Sequence, residues 1–249
     1  MRIIIVTQNA PIYLPEFLDQ FLKRLDKKNK VLCLVTMSAY KKGFWSTIGD
    51  YFNLYGPKVF IIFCFKIIWQ KIKSFKIIKG GQCFSIANVG RKYNLKILPG
   101  DKIEQLAKKS DLLISVAAPQ IFSEKIFSAP KYGAINYHSS LLPKYRGRMP
   151  LFWAMLNNEQ STGVTIHQIT KDLDAGTILA QKKIKISPND SLDDLYKKTT
   201  TIGAPLLAQV VNNFLKIKAP SSQSDKHQKI FRFPSKKEAA AFRKNHRFF

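Results

Sequence analysis

The sequence predicts an α/β protein built on a mostly parallel, twisted sheet with helices on both faces. Three observations carry that expectation. Short apolar runs alternate along the chain with stretches in which apolar residues recur at helical spacing, the pattern of parallel crossovers. The first run, "RIIIV", is apolar throughout, as in a strand buried on both faces. The 249 residues, 45% hydrophobic and 23% charged, suit one large domain or a domain with a small appendage.

Taken in order, residues 2–6 form the first strand. "LPEFLDQFLKRL" is a helix, with Leu14, Phe17, Leu18, Phe21, Leu22 and Leu25 on one face. "KVLCLV" (30–35) is the second strand and Leu95 to Leu98 the third. "DKIEQLAKK" is a short helix. "DLLISVA" (111–117) and "GAINYH" (133–138) are the fourth and fifth strands. "GVTIHQI" (163–169) and "TILAQKKIKI" (177–186) are two adjacent strands, with "DLDAG" (172–176) turning between them. A helix runs from about Ser191 to Leu215, with Ser191 as its cap and Asp193 and Asp194 in its first turn. "APSSQSDKHQ" reads as a loop. The tail holds a strand-like scrap and a short basic helix. The domain reading is therefore 1–217 as the catalytic unit and 218–249 as a basic C-terminal extension.

The segment from Lys41 to Lys79 is ambiguous. "VFIIFCFKIIW" (59–69) is broken by Lys66 and falls short of the roughly 20 residues of a membrane span. Lysines at 66, 71, 73, 76 and 79 do not keep to one helical face, which disfavours an interfacial helix. The expectation is a buried or half-buried helix starting at Pro57.

The charge is unusual: 41 Lys+Arg against 16 Asp+Glu, a net +25. Residues 51–100 hold nine basic residues and no acid, and Lys226 to Phe249 hold eight with only Glu238. Such a field favours anionic partners: phosphates, nucleotide sugars, nucleic acid or an acidic membrane surface. Cys33, Cys64 and Cys83 have no metal spacing, and the first and second read as small core residues. This points to a reducing compartment. The apolar run at the N-terminus is too short for a signal peptide. The expected location is cytoplasmic, with contact to the inner face of a membrane left open.

Several chemistries lack their signatures. "VTQNAP" follows the first strand where a dinucleotide site would carry GxGxxG, so a Rossmann-like sheet is expected without that site. There is no GxxxxGK[ST]. His138, His167, His227 and His246 include no i, i+4 pair and there is no CxxC, so no metal is expected. Ser139 and Ser140 flank His138, but successive side chains on an extended segment diverge, against a Ser–His nucleophile.

The stretch that asks for an explanation is "INYHSSLLPKYRG" (135–147). In open sheets, ligands bind at the carboxyl ends of the strands. Asn136 and His138 lie at such an end and, two residues apart, point to the same side. A protonated His138 and the Asn136 amide N–H would both donate to a developing oxyanion. An acid is then needed to hold the imidazole charged and to move protons, and Asp172 and Asp174 are the candidates. Alone, each residue is ordinary: Asn136 and Asp174 suit turns, and His138 suits a satisfied core position.

Together, "INYHSSLLPKYRG" and "GVTIHQITKDLDAG" resemble the folate-dependent formyltransferase family, the group of methionyl-tRNA formyltransferase, glycinamide ribonucleotide transformylase and the nucleotide-sugar N-formyltransferases. The family's pattern is Asn-x-His, then Ser-Leu-Leu-Pro, then a distant Asp-x-Gly turn. Here Asn136, His138, Ser140 to Pro143, Asp174 and Gly176 match it. The resemblance covers residues 110–186. It implies a formyltransferase-type fold and formyl transfer from N10-formyltetrahydrofolate to a primary amine, through a tetrahedral intermediate. It implies that Asn136 and His138 hold the oxyanion and that Asp174 keeps His138 charged. It implies that Ser140, Leu141, Leu142 and Pro143, with Ala118, Pro119, Gln120 and Ile121, line the folate site. His167 is read as orienting Asp174, Asp172 as a solvated turn residue, and Lys144, Tyr145 and Arg146 as a basic rim for an acceptor phosphate.

The acceptor is expected to be the amine of a nucleotide-linked or lipid-linked amino sugar. "LLPKYRGRMPLFW", with Trp153 just after Leu151, follows the sugar-type pattern. Only about sixty residues follow the last core strand and a helix takes up much of that, whereas the tRNA enzymes carry a further C-terminal domain. A methionyl-tRNA formyltransferase-like enzyme is the alternative, mildly favoured by the basic field. A non-catalytic RNA- or membrane-binding relative and a hydrolase releasing formate stay open.

Overall fold

The computed structural model of the chain describes residues 1–38, 43–75, 81–217, 221–223 and 229–249. Most of the loop expected at 219–228, with His227, lies outside the described residues, as do Lys76 and Lys79.

The elements run β1 (Arg2–Gln8), α1 (Leu14–Lys23), β2 (Lys30–Met37), α2 (Phe44–Phe75), α3 (Ile86–Lys92), β3 (Lys96–Pro99), α4 (Ile103–Lys108), β4 (Leu112–Val116), α5 (Glu124–Phe127) and β5 (Ala134–His138). They continue β6 (Arg146–Gly147), α6 (Pro150–Leu156), β7 (Ser161–Gln168), β8 (Ile178–Lys185), α7 (Leu192–Asn212), β9 (Ile230–Phe231) and α8 (Lys236–Asn245). Seven strands form one sheet in the order β3-β2-β1-β4-β5-β7-β8. Neighbours from β3 to β5 are parallel, whereas β7 pairs antiparallel with both β5 and β8. The predicted mostly parallel sheet is thus observed, with an antiparallel edge.

Successive residues of β1 supply both faces. Ile3 and Ile5 pack with Phe17, Leu18 and Phe21 of α1 and with Leu207 and Val211 of α7. Ile4 and Val6 face the other way, toward Ile103 and Ala107 of α4. All four are completely buried. This explains the unbroken apolar run, because a period-2 strand covered on both sides has no solvent face to mark. The helix α7 starts as its sequence dictates: Ser191 accepts from the Asp194 N–H, and the Asp194 carboxylate accepts from the Ser191 N–H at 2.9 Å.

The C-terminal residues are folded onto the body. β9 pairs with β6, and Ala239, Phe242 and Phe248 join Leu151, Phe152 and Leu195 in a second core. Residues 229–249 are therefore part of this core in packing terms.

The buried or half-buried helix expected to start at Pro57 is observed as a half-buried second arm of a longer helix. The helix α2 begins at Phe44 and breaks at Gly56 (φ 72°), and Pro57 opens its second arm. Ile61, Ile62, Phe65, Ile68, Trp69, Ile72 and Phe75 of that arm are exposed. An almost wholly apolar run carries no period from which to read burial. Cys64 is half-buried, whereas Cys33 is in the core as expected.

Candidate functional site

The site lies where β4 and β5 end and the β7–β8 turn returns to meet them. Register places Asn136 between Ser115 of β4 and His167 of β7, and His138 opposite Thr165. Asn136 Nδ2 is 3.2 Å from His167 Nε2. The ring of His167 is fixed by its Nδ1–H, which donates to the Gln168 carbonyl at 2.8 Å. Nε2 is then the ring edge offered to Asn136 and, at 3.5 Å, to Asp174 Oδ1.

Asp174 sits on the turn between β7 and β8 in the left-handed region, at φ 49°. The turn closes because residue 176 is glycine: a Cβ there would lie 1.9 Å from the Gln168 carbonyl oxygen. Asp174 Oδ2 accepts from the Gly147 N–H at 2.8 Å and lies 3.7 Å from His138 Nδ1. Burial alone would raise the carboxyl's pKa, but His138, His167 and the Gly147 N–H together outweigh it and hold the group far below the usual carboxylate range. Asp174 is thus a buried, fixed negative charge.

His138 behaves differently from the expectation. Its Nε2 lies 2.9 Å from the Tyr145 carbonyl oxygen, which only accepts, so Nε2 carries the hydrogen. Burial lowers the imidazole pKa more than Asp174 raises it, with His167 adding to the lowering. The ring is neutral near pH 7, with its Nδ1 lone pair toward Asp174. The expected permanent imidazolium is therefore corrected: desolvation of a ring whose side chain is only 7% exposed outweighs a carboxylate beyond hydrogen-bond reach.

The "SSLLPKYRG" loop divides into two sets. Ser140 is fully buried, its hydroxyl donating to the Lys144 carbonyl at 2.7 Å and its carbonyl accepting from Thr165 Oγ1 at 2.6 Å. Leu142 is buried, and its carbonyl accepts from Gln181 Nε2 at 2.9 Å. Both hold the loop in place, and neither presents a side chain outward. Leu141 and Pro143 do line an open cleft of about 360 Å³, together with Lys144, Tyr145 and Glu159. At the end of β4, Ala118 and Pro119 are half-buried and Gln120 and Ile121 exposed.

The expected basic rim is also corrected. Only Lys144 is exposed, and it pairs with Glu159 at 3.0 Å. Tyr145 is buried and donates to the same carboxylate at 3.0 Å. Arg146 is buried, and its Nη2 donates to Gln223 Oε1 at 2.8 Å. Gln223 Nε2 in turn donates to the carbonyls of Asp174 (2.9 Å) and Gly176 (2.7 Å). Arg146 thus braces the Asp174 turn from behind. Gln223 was missed by sequence reasoning, since a Gln in a polar loop carries no local signal. Asp172 is exposed, as expected of a turn residue.

A parallel sheet that closes with two antiparallel strands thus sets an amide, two imidazoles and a buried carboxylate at one strand end. Comparison with known proteins points to a family. Residues 95–211 match the formyl transferase domain. It is 37% identical over 153 residues to the methionyl-tRNA formyltransferase of Staphylococcus aureus (strain JH1), covering 59% of this chain and 49% of that protein. The chain therefore spans about half the length of the curated relatives it matches. Among solved structures it resembles WlaRD, a sugar 3N-formyl transferase crystallised with dTDP and 5-N-formyl-THF (TM-score 0.60, 20% identity, 93% of this chain and 69% of that one). It also resembles phosphoribosylglycinamide formyltransferase from Bacillus halodurans (TM-score 0.59, 19% identity, 86% of this chain and 95% of that one). These likenesses show the fold.

Proposed function

We propose that the chain transfers a formyl group from N10-formyltetrahydrofolate to a primary amine. The observation that carries this reading is the convergence of Asn136, His138 and Asp174 at one strand end inside a formyl transferase domain, with Asp174 Oδ2 3.7 Å from His138 Nδ1. The donor supplies an activated formyl carbon. What the chain offers it is compatible: half-buried to exposed residues at 118–121, beside the strand that bears Asn136.

In this reading, the acceptor nitrogen attacks the formyl carbon and its new C–N bond forms as the carbonyl oxygen becomes an oxyanion. Asn136 Nδ2–H donates to that oxygen, an interaction worth about 3–4 kcal/mol where single donors have been removed from other enzymes. Neutral His138 takes the surplus proton from the attacking nitrogen at Nδ1. The fixed charge of Asp174 stabilises the imidazolium so formed. As the bond to N10 breaks, His138 returns the proton to N10. Protons and charge balance without a covalent adduct to the protein. His167 serves by holding Asn136 and Asp174 in place.

The acceptor is the amine of a nucleotide-linked or lipid-linked amino sugar. Likeness to the sugar enzyme over 93% of this chain supports it. A second reading, methionyl-tRNA, has its own support in the 37% identity to the Staphylococcus aureus protein and in the net charge of +25. Absorbance-monitored conversion of N10-formyltetrahydrofolate separates them. Turnover with a dTDP-linked amino sugar and none with charged initiator tRNA supports the first, the reverse supports the second, and release of formate without any acceptor contradicts both.

A further inference from the structure

We propose that the outer face of α2 is a docking surface for an anionic lipid bilayer, on which the helix lies in the plane of the interface. The inference is independent of the acceptor and of the catalytic reading.

The face is apolar and turned to solvent. Trp69 is 58% exposed, Phe65 67% and Phe75 83%, with Ile61, Ile62, Ile68 and Ile72 at 48–57%. At about 3.6 residues per turn, these seven positions fall within roughly 140° of arc. The helix is apolar and long enough to cross a bilayer by length and composition, yet only 6% of its most apolar window is buried. Contiguous apolar surface of this kind marks an interaction site.

The face is held outward by construction. The first arm packs on the body, Tyr55 against Phe248 and Phe249 and Tyr51 against Phe233, and Phe63 of the second arm folds back on Tyr51 and Tyr55. Lys66 reaches inward to Asp193 at 3.2 Å and lies over the Phe249 ring. At the Gly56 break, Arg243 of α8 donates to the carbonyls of Asn53 and Leu54, which the kink releases from helical bonding. A helix anchored along one side through Lys66 and Asp193 stays with its domain, so it lies on a membrane and does not thread it.

Charge selects the occupant. Lys73 borders the apolar arc on one side and Lys71 on the other, and Lys58 stands at the start of the arm. Lys73 also lies over the Trp69 ring at 5.3 Å. Lysines bordering an apolar arc reach headgroups while their stems and the arc sink toward the acyl boundary. The disposition that argued against an interfacial helix in one dimension is, on the folded helix, a border on both sides. A net +25 chain adds long-range attraction to a negative surface. A second copy of the chain would bring like charges together at the same face.

The test is flotation of the full chain with vesicles of phosphatidylcholine alone and with phosphatidylglycerol added. Binding is expected only with the anionic lipid, weakening as salt rises, with a blue shift in tryptophan emission that Trp69→Phe abolishes. The triple variant Ile61→Asp, Phe65→Asp, Trp69→Asp should lower partitioning about a hundredfold or more. Lys58→Gln, Lys71→Gln and Lys73→Gln should each lower it about fivefold. Circular dichroism and thermal unfolding of each variant confirm the fold. Failure to float with anionic vesicles at any salt overturns the proposal, as does unchanged binding of a folded triple variant. A lipid-free dimer that the triple variant splits into monomers would also overturn it, by assigning the face to a second copy.

Discussion

The backbone N–H of Gly147 donates to Asp174 Oδ2 at 2.8 Å, tying the loop that follows the Asn-x-His strand to the turn that carries the acid. Two segments far apart in sequence thus share one hydrogen bond at the base of the site. Gly147 has φ 97°, and a Cβ there would lie 2.2 Å from the Phe231 carbonyl oxygen. Gly147→Ala is expected to destabilise the fold by more than about 1 kcal/mol and to reduce turnover, because the displaced loop no longer holds the carboxylate. Thermal unfolding and steady-state kinetics on the same preparation check both effects.

Removing the groups at the proposed reaction centre should spare the fold. Asn136→Ala is expected to lower kcat about a hundred- to a thousandfold, and His138→Ala about a hundredfold or more. Circular dichroism should be unchanged, since the strand bonds of β5 are made by its backbone.

The pH profile gives a sharper handle on His138. Burial lowers its pKa below the ordinary 6.5, and in the proposed mechanism the neutral ring is the active form. The rate should therefore fall as pH drops through a pKa below 6.5. Asp174→Asn removes the group that raises that pKa, so the acid limb should move to still lower pH while kcat falls. The same sign holds for stability: a neutral buried imidazole stabilises the fold above pH 6.5, and that contribution is lost as pH falls and the unfolded chain binds the proton. An acid limb that moves upward in Asp174→Asn would refute the assignment.

Gln223 is expected to act by positioning. Gln223→Leu leaves Arg146 Nη2 and the carbonyls of Asp174 and Gly176 without their present partner, at a cost of about 1–3 kcal/mol for a buried group so stranded. If Gln223 only stabilised the fold, the pH profile would not change. If it holds the Asp174 turn, kcat falls and the acid limb shifts, with KM for the donor largely kept.

The C-terminal helix carries its own pH signature. Burial works against ionisation of Glu238, but Ser235 and Arg232 outweigh it and bring the carboxyl down to about 2. Ser235 N–H and Arg232 Nη1 donate to it at 2.7 and 2.9 Å. The stabilisation is present above the ordinary carboxylate pKa near 4.5 and is lost as pH falls toward 2. Trp153, whose Nε1 donates to the Arg232 carbonyl at 3.0 Å, reports the loss in its fluorescence. Glu238→Gln should flatten the transition in that window.

The sheet was legible because its strands obey one rule. Ile3 to Val6, Leu112 to Ile114 and Ala134 to Ile135 are apolar with no solvent face, and the helices between them show helical spacing. The cap at Ser191 was readable for a local reason, since the acid three residues on completes it. The Asn136–His138 pair was legible because two residues on a strand share a face. What remained hidden depends on long-range geometry. That Arg146 turns inward rests on Gln223, distant in sequence and in no recognisable motif. That His138 is neutral rests on burial, which residue identity does not encode. That α2 faces solvent could not be read from a run in which nearly every residue is apolar.

The most direct test of the central claim is acceptor-dependent consumption of N10-formyltetrahydrofolate by the wild-type chain and by His138→Ala, measured side by side. The account predicts turnover in the wild type that requires a primary amine and drops at least about a hundredfold in the variant. A folded His138→Ala chain that consumes the donor at the wild-type rate would contradict it.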